Sequence, residues 1–168
     1  MKKIITLLLV VSVLTIGWKI IPGKDVVVDK EEAKKAFSSL NTIRQNPSAY
    51  SNELGVNLKN VKSRAVLKWN DTLAKVAEQK AFDKLKEEWI KNKKENYFES
   101  IQAGAAEGSE AIKLLIIDSY DKNLGHRKHL LGMDEWNAGL KDIGIGFVKC
   151  SDCPYKTYIS IVIAKHNW

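Results

Sequence analysis

The chain has 168 residues, 45% of them hydrophobic and 28% charged, and its 27 basic and 20 acidic side chains give a formal net charge of +7. This composition is typical of one globular domain and argues against a disordered or fibrous protein. The densest basic stretch, from Lys80 to Lys94, is interleaved with acidic residues. It therefore indicates a solvated helix face, and we expect no nucleic-acid partner.

The N-terminus has the layout of a secretory signal. Two lysines precede an apolar run from Ile4 to Trp18, which is the order of charged and apolar regions found in signal peptides. The run is shorter than the roughly 18 to 20 apolar residues of a membrane span. We therefore favour cleavage after Gly17, and the alternative is an uncleaved membrane anchor that continues past Lys19. In either case the protein is expected to be secreted, or to lie in the periplasm or cell envelope, and to meet a membrane only through this segment.

Capping residues and hydrophobic periodicity predict the first helices. Asp29 and Glu32 form a capping pair ahead of a helix from about Lys30 to Arg44. Asn46-Pro47 ends that helix and starts a short second one through Tyr50. The segment from Ser51 to Lys68 is predicted to be a loop.

The middle of the chain predicts a long helix and a central one. Asn70-Asp71 caps the long helix, whose apolar stripe predicts a buried face. The residues of this stripe are Leu73, Val76, Ala77, Ala81, Leu85 and Trp89. Gly108-Ser109 precedes a nearly unbroken apolar helix from Glu110 to about Tyr120, and residues 126–131 are predicted to form one more helical turn.

The end of the chain is typical of strands. Ile143–Val148 and Tyr158–Ala164 are rich in β-branched and aromatic residues, and a turn joins them. Helices followed by paired antiparallel strands predict the α+β class.

The two cysteines, Cys150 and Cys153, lie in that turn. A redox Cys-x-x-Cys motif normally lies between a strand and a helix, and one such pair is half of a zinc site. In an exported chain we favour a disulfide that pins the hairpin, with metal or redox roles as the alternatives. A disulfide that closes so short a loop should stabilise the fold by less than the roughly 3 kcal/mol expected when a disulfide closes a 15-residue loop.

Several ordered segments resemble the CAP superfamily (cysteine-rich secretory proteins, antigen 5 and pathogenesis-related-one proteins) in its short bacterial branch. The segments are Leu40–Pro47 (LNTIRQNP), Leu67–Leu73 (LKWNDTL), Glu99–Gly104 (ESIQAG), Gly125–Leu131 (GHRKHLL) and Ile143–Gly146 (IGIG). The resemblance implies a three-layer α/β/α sandwich with a small antiparallel sheet. It also implies a division into a signal peptide or anchor over residues 1–22, a linker and helix start over 23–35, and a CAP-like domain over 36–168.

The resemblance further implies a cleft in which two histidines and two acids can hold a divalent metal such as zinc. His126 matches the histidine of the Gly-His block, Glu99 matches an acid of the family, and Asp118 is the candidate second acid. No histidine precedes His126, so one ligand of the family set is missing. His129 could take its place if the segment is helical, although we favour His129 as a surface side chain of a basic turn.

Two functions of different classes follow from these residues. The first is a non-catalytic exported module whose His126 and Glu99 cleft binds a small ligand, a lipid or an envelope protein. The second is a hydrolase with Glu99 or Asp118 as general base and His126 as acid or metal ligand. The absence of a Gly-x-Ser-x-Gly or His-Glu-x-x-His motif favours the first function. The alternative for His126 and Glu99 is a structural role as a buried hydrogen-bonded pair.

Overall fold

The computed structural model describes residues 25–85 and 97–166, without the side chains of residues 97 and 98. The predicted N-terminal signal or anchor, as well as Trp89, lies outside the described residues. The helices are α1 (Lys30–Gln45), α2 (Ser51–Leu54), α3 (Asp71–Leu85), α4 (Gly108–Ile117), α5 (Gly125–Leu131) and α6 (Glu135–Ala138), with a 3-10 helix at Pro47–Tyr50. The strands are β1 (Val26–Val28), β2 (Lys68–Trp69), β3 (Tyr97–Ala103), β4 (Asp142–Cys150) and β5 (Thr157–Ala164).

The strands form one mainly antiparallel sheet in the order β1-β4-β5-β3. β4 and β5 form the predicted hairpin, with Asp142 opposite Ala164 and Lys149 opposite Thr157. β3 pairs with the other edge of β5, and the short β2 runs parallel to the start of β4. Within residues 25–85 and 97–166, none of the helices has the length and apolar character that crossing a membrane requires.

Helices cover both faces of this sheet. Side chains alternate along β4, so Ile143, Ile145 and Phe147 join the larger core with α1, α4 and α5. The opposite face of β4 carries Gly144 and Gly146, and α3 lies directly on them. A Cβ on Gly146 would lie 2.3 Å from the backbone nitrogen of Glu78 in α3. The absence of side chains at these positions therefore permits the close approach of α3. Because helices cover both faces of the sheet, the predicted three-layer α/β/α sandwich is confirmed.

Most of the predicted elements are present, and the differences are local. α4 ends at Ile117, three residues before the predicted Tyr120, because Asp118 adopts a left-handed conformation with φ 49°. The predicted loop after Tyr50 begins with the helical turn α2. Four other elements were not predicted from the sequence, namely the short strands β1 and β2, the helix α6 and the edge strand β3, which carries Glu99.

The Cys150–Cys153 disulfide is present and links residues three apart in the hairpin turn. Both cysteines are buried, and Cys150 lies opposite Val26 in the pairing of β4 with β1. The preferred interpretation of this cysteine pair is confirmed.

Candidate functional site

Asp118 and His126 form a side-chain pair where α4 ends and α5 begins. His126 Nδ1 lies 2.9 Å from Asp118 Oδ1, and the backbone N–H of Arg127 donates to Asp118 Oδ2 over 3.2 Å. An ionised carboxylate only accepts hydrogen bonds, so Nδ1 of His126 carries the proton in this pair. In the neutral ring Nε2 then keeps its lone pair. The side chain of Asp118 is 3% exposed and that of His126 is 39% exposed, so a buried carboxylate orients a surface imidazole.

The loop between these residues is held by the side chain of Asp121. Asp121 accepts hydrogen bonds from the N–H groups of Asn123 and Gly125, over 2.8 and 2.7 Å. The bond from Gly125, followed by that from Asn123, lowers the pKa of the Asp121 carboxyl. Because Gly125 is the first residue of α5, the Asp121 carboxylate satisfies a backbone N–H that the helix itself leaves without an acceptor.

Arg127 fastens α5 to α4. Its guanidinium donates to the carbonyl oxygens of Ile116 and Ile117 in the last turn of α4. Carbonyls in the last turn of a helix receive no N–H donor from the helix itself. A cation at a helix C-terminus is also favoured by the helix dipole, which strengthens the contact. The Asp118–His126 pair therefore lies where Arg127 ties the start of α5 to the end of α4. No role for Arg127 was predicted from the sequence, although it directly follows the Gly-His block.

The structure does not bring Glu99 together with His126. Glu99 accepts a hydrogen bond from the Ser160 hydroxyl over 2.9 Å and lies 3.4 Å from the ammonium of Lys80 in α3. In the β3–β5 pairing Glu99 is opposite Val162, which packs with α3. Glu99 thus lies on the α3 face of the sheet, whereas α5, which carries His126, covers the other face. Neither the predicted shared cleft nor the alternative buried Glu99–His126 pair forms.

Ser100, the next residue of β3, faces the α5 side. Its hydroxyl lies 2.7 Å from Nδ1 of His129, and both residues are fully buried. The prediction that His129 is a surface side chain is therefore wrong, because α5 packs against α1, α4 and β3 and buries even polar residues. Burial, with smaller contributions from the charges of Arg44 and His126, lowers the pKa of His129 to about 3. His129 is neutral and does not share the exposed position of His126.

A resident zinc ion does not fit these residues. Within the described ranges, no group of three or more His, Cys, Asp and Glu side chains could hold a metal. Of the residues proposed from the sequence, only Asp118 and His126 lie together, and both oxygens of Asp118 already accept hydrogen bonds. Asp118 therefore holds the imidazole of His126 through Nδ1 and is not available as a metal ligand.

The chain is similar to a solved structure in its fold alone. The chain is similar in structure to venom allergen-like protein 4 of Schistosoma mansoni, with a TM-score of 0.49 and 17% sequence identity over 78% of this chain and 87% of that chain. No protein-family model matches the sequence. No curated protein matches it either. The α/β/α architecture of the chain is the one that its resemblance to the CAP superfamily implies.

Proposed function

We propose that the chain is an exported, non-catalytic domain that contacts its ligand through His126. Export is supported by the charged and apolar layout of residues 1–22 and by a disulfide that an oxidising compartment would preserve. The ligand is a component of the compartment to which the protein is exported, which we take to be the cell envelope.

The observation that carries the proposal is the pairing of an exposed imidazole with a buried carboxylate. The ring of His126 is 39% exposed, while the Asp118 side chain behind it is 3% exposed. Since Asp118 fixes the proton on Nδ1, the exposed ring can accept a hydrogen bond at Nε2 from a hydroxyl or N–H donor of a ligand.

The placement of the other acid favours binding over hydrolysis. A hydrolase built from the predicted residues needs an acid and a base that both reach the substrate, and Glu99 or Asp118 was the predicted general base beside His126. Glu99 is instead engaged with Lys80 and Ser160 on the opposite face of the sheet. In the remaining Asp118–His126 pair only His126 is exposed. The pair can therefore contact a ligand, but it offers no second exposed group for acid–base catalysis.

A co-sedimentation experiment tests this proposal. The protein as isolated from cells is mixed with envelope material from the same cells, and the bound fraction is measured for wild type, His126→Ala and Glu99→Gln. We expect at least about tenfold weaker binding of His126→Ala, since a hydrogen bond to a ligand and its desolvation are lost. Glu99→Gln serves as the control and should bind as wild type does.

Two results would overturn the proposal. Equal binding of wild type and His126→Ala would remove the imidazole from the contact. Release of soluble fragments by wild type that His126→Ala no longer produces would show a hydrolase. Mass spectrometry of the supernatant detects such fragments, and the intact mass of the isolated protein shows whether cleavage after Gly17 has occurred.

A further inference from the structure

A second candidate site is a cavity of about 540 Å³ next to the residues that follow α5, whereas Asp118 precedes α5. It lies between the loop that precedes β2 and the turn from α5 into α6. Lys62 and Arg64 contribute from the loop, and Met133 and Ala138 contribute apolar surface from the turn and α6. This volume is within the roughly 300 to 1,000 Å³ of small-molecule sites. The loop side of the cavity carries the two cations together with Val61, and the α5–α6 side carries the apolar groups together with the acids Asp134 and Glu135.

Arg64 is fixed in this wall by its own hydrogen bonds. Its Nε donates to the carbonyl oxygen of Gly132 over 3.0 Å, and its backbone N–H donates to the carbonyl oxygen of Arg44 over 2.8 Å. The Nε bond orients the guanidinium plane, and the two terminal nitrogens carry the donors that match a carboxylate. The side chain therefore loses little freedom when an anion binds.

A second, buried guanidinium lies behind Arg64. Arg44 is 2% exposed, donates to the carbonyl oxygen of Leu130, and its Nε has no hydrogen-bond partner among the described residues. Burial, followed by the nearby charge of Arg64, lowers the pKa of Arg44 to about 10. Within residues 25–85 and 97–166, neither arginine forms an ion pair with a carboxylate. The two like charges therefore leave a positive potential that an anion in the cavity would reduce.

The acids that line the cavity limit the charge of the anion. Asp134 and Glu135 both contribute to its wall. Asp134 is already engaged, since Oδ1 and Oδ2 accept from the backbone and side-chain nitrogens of Asn137, over 2.9 and 2.7 Å. Lys62 and Arg64 balance these two acids within the wall, so the positive excess comes from the buried Arg44 behind it and from Lys128 near Asp134. This arrangement favours an anion of low charge.

From this geometry we propose that the cavity binds the carboxylate of a ligand with an apolar body, as at the C-terminus of a peptide that ends in an apolar residue. The carboxylate pairs with the terminal nitrogens of Arg64 and with the ammonium of Lys62. The apolar side chain lies against Met133 and Ala138. This site uses none of the residues of the Asp118–His126 pair, so the proposal does not depend on the proposed function.

The test uses three probes, two of which differ in a single charge. N-acetyl-L-leucine carries the carboxylate and the apolar side chain, and N-acetyl-L-leucinamide has the same body without the charge. Each is titrated into the ¹⁵N-labelled protein as isolated from cells, while the amide signals of Met133 and Ala138 are followed by NMR. Sodium acetate, an anion without the apolar body, is the third probe. We expect saturable shifts with the acid and at least about tenfold weaker binding of the amide and of acetate.

Three variants locate the contact. Arg64→Gln and Lys62→Gln should each weaken binding of the acid, and the second keeps the test valid if the first disturbs the loop. Lys59→Gln is the matched control, because Lys59 is an exposed lysine of the same loop outside the cavity wall. The proposal is overturned if the acid causes no saturable shifts, if the amide or acetate binds as tightly as the acid, or if Lys59→Gln weakens binding as much as Lys62→Gln.

Discussion

Asp118 and His126 lie 2.9 Å apart through Oδ1 and Nδ1, yet the first side chain is 3% exposed and the second is 39% exposed. The two residues therefore differ in what they contribute to the fold. Asp118 also accepts the N–H of Arg127, so its loss leaves buried donors without a partner. The ring of His126 is partly exposed, so its loss should affect the stability of the fold less.

We expect Asp118→Ala to lower the free energy of unfolding by about 1 to 3 kcal/mol, because buried hydrogen-bond donors lose their acceptor. His126→Ala should cost less than about 1 kcal/mol, since its ring is partly hydrated in the folded state. Urea unfolding of both variants measures the two values. A larger loss for His126→Ala than for Asp118→Ala would contradict the division into an orienting and an exposed partner.

Gly146 is expected to tolerate no side chain. Gly146→Ala would place a Cβ 2.3 Å from the backbone nitrogen of Glu78, and the α3 backbone cannot rotate away as a side chain would. We expect a loss of at least about 3 kcal/mol, or failure to fold. Gly139→Ala is the control, because its Cβ would come no closer than 3.4 Å to another atom. Thermal unfolding should place the control within a few degrees of wild type, and equal losses for both variants would contradict the close packing of α3.

His129 should make the fold sensitive to mild acid. Burial holds its pKa at about 3 in the folded protein, whereas an unfolded histidine takes up its proton at about pH 6.5. Between these values the unfolded chain binds one more proton, so stability falls as the pH falls below about 6.5, by up to about 1.4 kcal/mol per pH unit.

The variant His129→Gln isolates this effect. Urea unfolding is measured between about pH 7 and pH 5, above the range in which ordinary carboxyl groups titrate. We expect the variant to be less stable than wild type at neutral pH and to lose the steep dependence on pH. The same slope in both proteins would assign it to another group.

Reduction of the Cys150–Cys153 disulfide should loosen one end of the sheet without unfolding the domain. The closed loop is short, so the expected loss is below about 3 kcal/mol. Because Cys150 lies opposite Val26, and the N–H of Ser151 donates to the carbonyl oxygen of Asp25, amide exchange should rise first in β1. Hydrogen exchange with and without dithiothreitol checks this, and the double variant Cys150→Ser/Cys153→Ser should not respond to the reductant. Global unfolding on reduction would contradict a local role.

The sequence predicts the helices and the hairpin well because their signals are local. The capping pair of Asp29 and Glu32 is followed by α1, and the N–H of Glu32 donates to Asp29 Oδ1 over 3.0 Å. The two glycines of the Ile-Gly-Ile-Gly segment fit the alternation of β4. In each case the pattern that predicts the element lies within the element itself, even where, as for the two glycines, the contacts that require it are distant.

The candidate site is only half predictable because one residue along a strand changes the face of the sheet. Asp118 and His126 are eight residues apart and come together through a local loop. Glu99 depends on the register of β3 with β5, which is set by distant pairing. The same register places Ser100 against His129, and no periodicity within the short α5 distinguishes its buried histidine from its exposed one.

Asp118, and not Glu99, holds the imidazole of His126. Long-range ¹H–¹⁵N NMR correlations of the histidine ring show which ring nitrogen carries the proton, at about pH 8.5, well above the ordinary histidine pKa of about 6.5. We predict a proton on Nδ1 of His126 in wild type and in Glu99→Gln, and a shift toward the Nε2–H form in Asp118→Ala. A change of tautomer in Glu99→Gln, with none in Asp118→Ala, would contradict the account.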